Sequence, residues 1–433
     1  MLINFKFKNN RSFYNENDLS LQATSDNELR ELNTFFIDKK LLPTGNELLK
    51  SAVIFGSNAS GKTNIIKALS YMWSTIAFSA AQQSNIIKQN ETFAFYEKAN
   101  EEDSLYEVEI IANNTYYKYG FIINNGKIKQ EWLYKRKERL IKIFERRLNE
   151  LEIKGLNKLS VNLIKVPEYA LFLSIGNNYN LTISEDILNV LLWFKNLLIV
   201  FENNSNSFDL YNVENCKYKN QALEILKKAD IGIKEIEVIK DKLGEINNLN
   251  DVLNMNTQLQ INPRRFVGQT KQEKETLYNI DVKTKFNVYN KQNQIVGEKE
   301  VMLLKDNYFN SEGTLRLLSY LGWILAALDK GKVIFIDEID AKLHFLVADY
   351  LIRMFNSIDK NPNNAQLICT AHNIMLMDED LRRDQIYFTT KDNIGISSLV
   401  SLADYKAVRK NNLFSKRYLS GFYSKLPNLN KKV

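Results

Sequence analysis

Apolar and polar positions change rhythm several times along the chain, and each change marks an element. At the start, Ile3 to Phe7 and Leu19 to Ala23 alternate like two short strands, separated by the turn formers Asn9 to Ser12 and Asn15 to Asp18. The pattern predicts that they form the sheet edge preceding a wholly apolar strand, Val53-Ile-Phe55, which runs through a glycine-bounded loop into a helix reaching about Ala80. Beyond the polar stretch Gln82 to Glu91, alternation returns at Phe93 to Tyr96, Tyr106 to Ala112, Tyr116 to Ile123 and Lys127 to Tyr134. Asn113-Asn114 and Asn124-Asn125-Gly126 are the hairpin turns between them.

Helical spacing follows over Ser184 to Phe201 and Asn220 to Ala229, whereas Lys240 to Lys274 has little periodicity and reads as flexible or loosely helical. Strand patterns resume at Tyr278 to Tyr289 and Gln294 to Leu304. Ser311 is placed as the N-cap of a helix in which Leu315, Leu318, Leu321, Leu325 and Leu328 recur at helical spacing. Two strands with the unbroken apolar character of a buried parallel sheet come next, Lys332 to Ile336 and Gln366 to Ala371. A helix patterned by Leu343, Val347, Tyr350, Leu351 and Met354 separates them, and a further strand is expected at Gln385 to Thr389. The whole predicts an α/β fold with a mixed sheet, an antiparallel β lobe and a mainly helical insertion. Its expected parts are residues 1–175, the insertion 176–275, and residues 276–433.

Composition narrows the setting. With 433 residues, 45% hydrophobic and 25% charged, the chain has an ordinary globular balance. Its longest apolar runs, Val190 to Phe201 and Leu315 to Leu328, are broken by Lys195 and Arg316 and are too short to span a bilayer, so no membrane partner is expected. The N-terminus lacks the apolar core of a secretory signal, and Cys216 and Cys369 are too isolated for a disulfide framework; a cytoplasmic location is the expectation. A net charge of +7 permits DNA or an acidic protein as partner without arguing for either. The basic run Lys135, Arg136, Lys137, Arg139, Lys142, Arg146 and Arg147 could contact phosphates, but Glu138 and Glu145 are interspersed, which favours a solvated strand pair.

The loop after the apolar strand reads Gly56-Ser57-Asn58-Ala59-Ser60-Gly61-Lys62-Thr63, with Asn64 continuing into the helix. Glycines at this spacing let backbone N–H groups wrap a phosphate chain, and the helix N-terminus adds its positive end, which makes this a P-loop. Lys62 is then expected against the β- and γ-phosphates of ATP, and Thr63 on Mg²⁺. The strand at Lys332 to Ile336 ends in Asp337-Glu338-Ile339-Asp340. Carboxylates there need a cation or donors. Asp337 is expected to hold Mg²⁺, mostly through water, and Glu338 to polarise the attacking water. His372, closing the strand at Gln366 to Ala371, is placed as a γ-phosphate sensor, while His344 packs a helix start. Ser311-Glu-Gly313-Thr314 opens a helix in a way that also suits phosphate.

This set of motifs resembles the ATP-binding-cassette ATPase heads, in the branch that includes RecF, SMC and the overcoming-lysogenisation ATPases. More narrowly, Asn9-Asn-Arg-Ser-Phe13, Ser57-Asn-Ala-Ser60, Glu131-Trp-Leu-Tyr134, Leu171-Phe-Leu-Ser174, Arg382-Arg-Asp-Gln385 and Tyr418 to Pro427 look like the bacterial abortive-infection ATPases of the AbiLi/RloA type, which are similar to the ATPase subunit of the PARIS phage-defence system. The resemblance implies that Ser311 and Gly313 contact the γ-phosphate on the P-loop of a second copy, so that ATP joins a head-to-tail homodimer, with higher homo-oligomers open. Asp340 would lie in the loop crossing that interface, and Arg11 near the nucleotide. The Mg²⁺-sensing glutamine of such proteins has only Gln130 or Glu131 as candidates, and the signature departs from the usual Ser-Gly-Gly-Gln. Sustained heptads are missing from the sequence, and the stretch from Asn373 to Val433 is too short for the Toprim nuclease that overcoming-lysogenisation proteins carry, so a separate, nuclease-like effector protein and a phage-encoded trigger are the expected partners. A RecF-like, DNA-dependent ATPase of repair or replication is the alternative.

Overall fold

The computed structural model describes residues 1–42, 44–81, 85–136, 138–148, 150–153, 166–178, 184–201, 219–229, 232–246, 275–302, 312–405 and 413–423. The chain packs as two units, the first formed by Met1–Val200, Leu328–Ile339 and Asp349–Val433, the second by Phe201–Ala327 and Asp340–Ala348.

In the first unit, β1 (Leu2–Lys8) buries Leu2, Phe5 and Phe7 and pairs antiparallel with β2 (Asn17–Ser20). A short hairpin, β3 (Thr34–Phe36) with β4 (Glu47–Leu49), leads into β5 (Ser51–Gly56), which is buried at every position, and then into helix α1 (Lys62–Phe78). An antiparallel meander follows: β6 (Ser104–Ala112), β7 (Thr115–Asn124), β8 (Lys127–Arg136), β9 (Leu140–Arg147) and β10 (Glu150–Ile153). Asn113, Asn114, Asn125 and Gly126 all have positive φ, the conformation of a two-residue turn whose twist matches its strands.

Two expectations change here. β1 and β2 do not border the P-loop strand; β1 pairs with β6, and the seven strands run β10-β9-β8-β7-β6-β1-β2 in a sheet of their own. Phe93 to Tyr96 is not a strand. The N–H of Phe93 is taken by the Asn9 side chain at 3.1 Å, and its ring packs against Tyr14 and Tyr96, so the aromatic alternation builds a small cluster instead of a ladder.

The basic hairpin β8–β9 behaves largely as a paired surface. Lys135 meets Asp186 at 2.7 Å, Lys142 meets Glu145 and Glu152 at 2.9 Å, and Arg147 meets Glu145 at 2.8 Å. Arg146 is the exception: it is 1% exposed and donates to the carbonyls of Leu148, Ala170 and Pro167. Opposite it on β8, Glu131 accepts from Phe172 N, Leu173 N and the Tyr119 hydroxyl, at the start of helix α2 (Phe172–Asn178). Burial pushes the Glu131 carboxyl up, opposed by the Arg146 charge and these donors.

Helix α3 (Glu185–Asn196) ends sooner than its apolar spacing predicts, because Leu198–Val200 forms strand β11. The second unit holds helix α4 (Lys219–Lys228) and an antiparallel sheet of β12 (Glu235–Ile246), β13 (Glu275–Tyr289) and β14 (Ile295–Met302). The stretch from Lys240 to Ile246 is therefore strand, not loose helix; in β12, Glu235 and Glu237 face Lys285 and Lys283 of β13 at 2.9 Å, a cross-strand charge match that no helical periodicity would reveal. Residues 247–274 of that stretch, Cys216 and Ser311 lie outside the described residues. Helix α5 (Glu312–Lys330) buries Leu318, Leu321, Leu325 and Leu328 of the predicted leucine stripe.

That sheet adds β15 (Val333–Ile336), β16 (Gln366–Thr370), β17 (Ile386–Lys391) and β18 (Ser397–Ser401), with helix α6 (Phe345–Asn356) between β15 and β16. Its order is β11-β15-β16-β5-β17-β18, parallel except for the last pair, so the expected mixed α/β sheet with an antiparallel lobe is present. Gln366 fastens it to the first sheet: one fully buried carboxamide donates to Leu2 O and Leu49 O and accepts from Leu2 N at 2.6 Å. A final short helix, α7, covers Phe414–Leu419. Among the described residues no helix is long and apolar enough to cross a membrane.

Candidate functional site

β5 ends at Gly56, where an added Cβ would collide with the Ser60 hydroxyl and with both the hydroxyl and the carbonyl of Thr389. The loop can turn this tightly only with glycine. At its other end Gly61 has φ +114 and caps α1, against Ser12 and Ser397. Ser60 and Thr389 share a 2.5 Å hydroxyl contact, Ser397 Oγ donates to Ser60 O at 2.7 Å, and Asn64 Nδ2 donates to Ser12 Oγ at 2.8 Å. Asn58 and Ala59 are exposed at the tip and Ser57 is half-buried. Lys62 is 6% exposed, its ammonium curled back to donate to Gly56 O at 2.8 Å and Ser57 O at 3.2 Å.

The acidic pair arrives from the end of β15, two strands away from β5 in the same parallel sheet. Thr63 Oγ1 stands 3.2 Å from Asp337 Oδ1, and the same oxygen accepts from Thr370 Oγ1 at 2.8 Å. Glu338 has φ +55, sparsely populated by non-glycine residues, and its N–H donates to Thr370 Oγ1. Its carboxylate reaches His372 Nε2 at 3.2 Å. Strand order explains the convergence: β16 lies between β15 and β5, so three strand ends open on one edge.

Hydroxyl and carboxylate oxygens within reach of each other suit a hard divalent cation, and the glycine-walled loop at a helix N-terminus suits an anionic phosphate chain. The donor set thus fits a nucleotide with Mg²⁺.

Lys62, Thr63, Asp337, Glu338 and His372 come together, as the spacing suggests. Arg11 ion-pairs with Glu91 at 2.6 Å and precedes Ser12, the residue that touches the loop. Glu131 is not available as a cation sensor: it is fully buried and occupied by α2. Gln130 sits half-buried on β8. Gly313 and Asp340 belong to the second unit, as does His344, whose carbonyl and Nδ1 accept from N–H groups of the first turn of α6. Arg382 to Gln385 is an internal clamp; the Arg382 side chain, 0% exposed, binds Asp384 and the carbonyls of Asp26 and Glu28. Sequence reasoning missed Thr370, Thr389, Ser397 and Ser12. For Thr370, its place two residues before His372 was the available signal.

A family model described as "AAA domain, putative AbiEii toxin, Type IV TA system" matches residues 51–378. No curated protein matches the chain. Similar solved structures include an Smc head bound to the C-terminal winged-helix domain of ScpA, 14% identical over 94% of this chain and 98% of that one, with TM-score 0.44. Another is an Smc head domain with a coiled coil and joint derived from Pyrococcus yayanosii, 10% identical over 97% and 99%, with TM-score 0.37. Since the family match runs unbroken from the P-loop strand through the acidic pair to His372, this chain belongs to that AAA-domain family.

Proposed function

We propose that the chain is an ABC-type ATPase of the RecF/SMC/overcoming-lysogenisation branch that binds ATP with Mg²⁺ and hydrolyses it to ADP and phosphate. The observation that carries this reading is the meeting of Thr63 with Asp337 and of Glu338 with His372 at neighbouring strand ends beside the P-loop. Lys62 and the loop amides hold the phosphates; Thr63 and Asp337 hold the cation. Bound Mg²⁺ supplies charge neutralisation on the phosphates. Glu338 accepts a hydrogen bond from the attacking water and orients it, and His372 steadies that carboxylate and faces the γ-phosphate.

Further, the chain acts as the cytoplasmic sensor and scaffold of an abortive-infection system of the AbiLi/RloA type, resembling the PARIS ATPase subunit. It controls a separate, nuclease-like effector in response to a phage-encoded trigger. The family description, which names a toxin of a type IV toxin–antitoxin system, supports a role of this kind. ATP is shared in a homodimer, with Ser311, Gly313 and Asp340 of one copy serving the P-loop of the other. The second reading, a RecF-like DNA-dependent ATPase, draws on the net charge of +7, but the pairing of Lys135, Lys142 and Arg147 with carboxylates weighs against it.

Steady-state ATP turnover with and without duplex DNA, at two salt concentrations, separates the readings. Turnover indifferent to DNA, together with phage protection that Lys62→Ala abolishes, is the expected result. Strong, salt-sensitive stimulation by DNA would favour the repair reading, and protection that survives Lys62→Ala would sink the ATP-driven sensor.

A further inference from the structure

Thr370, at the C-terminal end of β16, makes three bonds to the segment that follows β15. Its Oγ1 donates to Asp337 Oδ1 at 2.8 Å and accepts from Glu338 N at 2.7 Å, and its carbonyl accepts from Ile339 N at 3.0 Å. The residue is fully buried, so water does not compete for these groups. A hydroxyl has one proton to give and lone pairs to accept with. One group therefore serves both acids at once, the side chain of Asp337 and the backbone of Glu338.

The backbone at Glu338 makes this matter. Its φ of +55 lies in the left-handed region, and such a conformation persists where the surroundings over-determine it. Bonds from Thr370 to residues 337, 338 and 339 do so. They fix where Asp337 meets Thr63 and from which point Glu338 projects towards His372.

We infer that Thr370 is the positioning residue of the acidic pair, acting on the cation through Asp337 and on the attacking water through Glu338. What the pair does rests on the ATPase reading; what Thr370 does to the pair does not. A purely structural role for Thr370 predicts that Thr370→Val, which leaves the Glu338 N–H unpaired, costs stability while the folded chain keeps its Mn²⁺ affinity and kcat. Positioning predicts that Mn²⁺ affinity and kcat both fall in the folded chain.

The test compares the full chain as wild type, Thr370→Val and Thr370→Ser. It reads Mn²⁺ affinity in the presence of ADP by electron paramagnetic resonance, ADP affinity without metal, and kcat and KM for ATP. Thr370→Val is expected to weaken Mn²⁺ and to lower kcat, each about 10- to 100-fold, with metal-free ADP affinity and KM within about threefold of wild type. Thr370→Ser restores both to within about threefold. Equal Mn²⁺ affinity in wild type and Thr370→Val overturns the inference, and so does a Thr370→Ser variant as impaired as Thr370→Val. A wild type that binds Mn²⁺ with ADP but does not turn over ATP refutes the ATPase reading alone, because the Mn²⁺ ratio still decides the part played by Thr370. A wild type that binds neither overturns both.

Discussion

His372 Nε2 lies 3.2 Å from Glu338 Oε1, joining the ends of two neighbouring parallel strands. The contact is half-open, with the imidazole 41% and the carboxylate 27% exposed, as suits groups that must meet a ligand rather than only each other. Both residues stand beyond the C-terminal ends of their strands, the edge at which open α/β sheets present ligand sites.

Glu338→Gln keeps the shape of this contact and removes the group that orients water. We expect turnover to fall about 10²- to 10⁴-fold while ATP stays bound. Single-turnover kinetics with a filter-binding assay reads both quantities. Wild-type hydrolysis in Glu338→Gln would remove Glu338 from the mechanism. His372→Ala should cost less, since the carboxylate remains.

Gly56→Ala places a methyl 2.8 Å from the Thr389 carbonyl, a backbone atom that cannot step aside. We expect about 1–3 kcal/mol of destabilisation in urea melts, together with loss of nucleotide affinity by calorimetry. Gly61→Ala meets a second obstacle, the positive φ itself. A Gly56→Ala chain that binds ATP as tightly as wild type would show that the loop is more yielding than its packing implies.

Arg146 and its neighbour Arg147 should separate cleanly. Arg146→Ala strips four carbonyls of a buried donor and leaves Glu131 without its opposing charge, an expected loss of about 3–5 kcal/mol. Arg147, whose side chain is 70% exposed, pairs only at the surface, and Arg147→Ala should stay within about 0.5 kcal/mol. Chemical denaturation of the two variants side by side settles this; similar losses would mean that Arg146 is not the internal tie.

Asp349 gives the fold a pH dependence. Burial first, then Glu379 and Asp380, raise its carboxyl from the ordinary 3.8 to about 6 against the opposing pull of Arg353. Because the folded value exceeds the unfolded one, its stabilising contribution is fully present below about pH 4 and is lost as pH rises through about 6. Asp349→Asn should flatten the stability profile over that window by about 1 kcal/mol, a figure that allows for solvent screening. Melts between pH 4 and 7 test it, and an unchanged slope in the variant would assign the dependence elsewhere.

Sequence alone determined the elements whose causes are local. Gly56 and Gly61 at fixed spacing, the apolar run that ends in Asp337-Glu338, and the Asn-Asn and Asn-Gly turns each carry their physical reason within a few residues. The tertiary structure decided which of these meet. Thr63 and Asp337 are 274 positions apart, and only the insertion of β16 between β15 and β5 brings their side chains within 3.2 Å. The same holds for residues whose roles depend on burial: Glu131 and Arg146 look in sequence like a candidate sensor and a surface charge, and each is enclosed by segments that no local pattern links to it. Thr370 is the sharpest case. A threonine closing an apolar strand is unremarkable until the neighbouring strand delivers two acids to its hydroxyl.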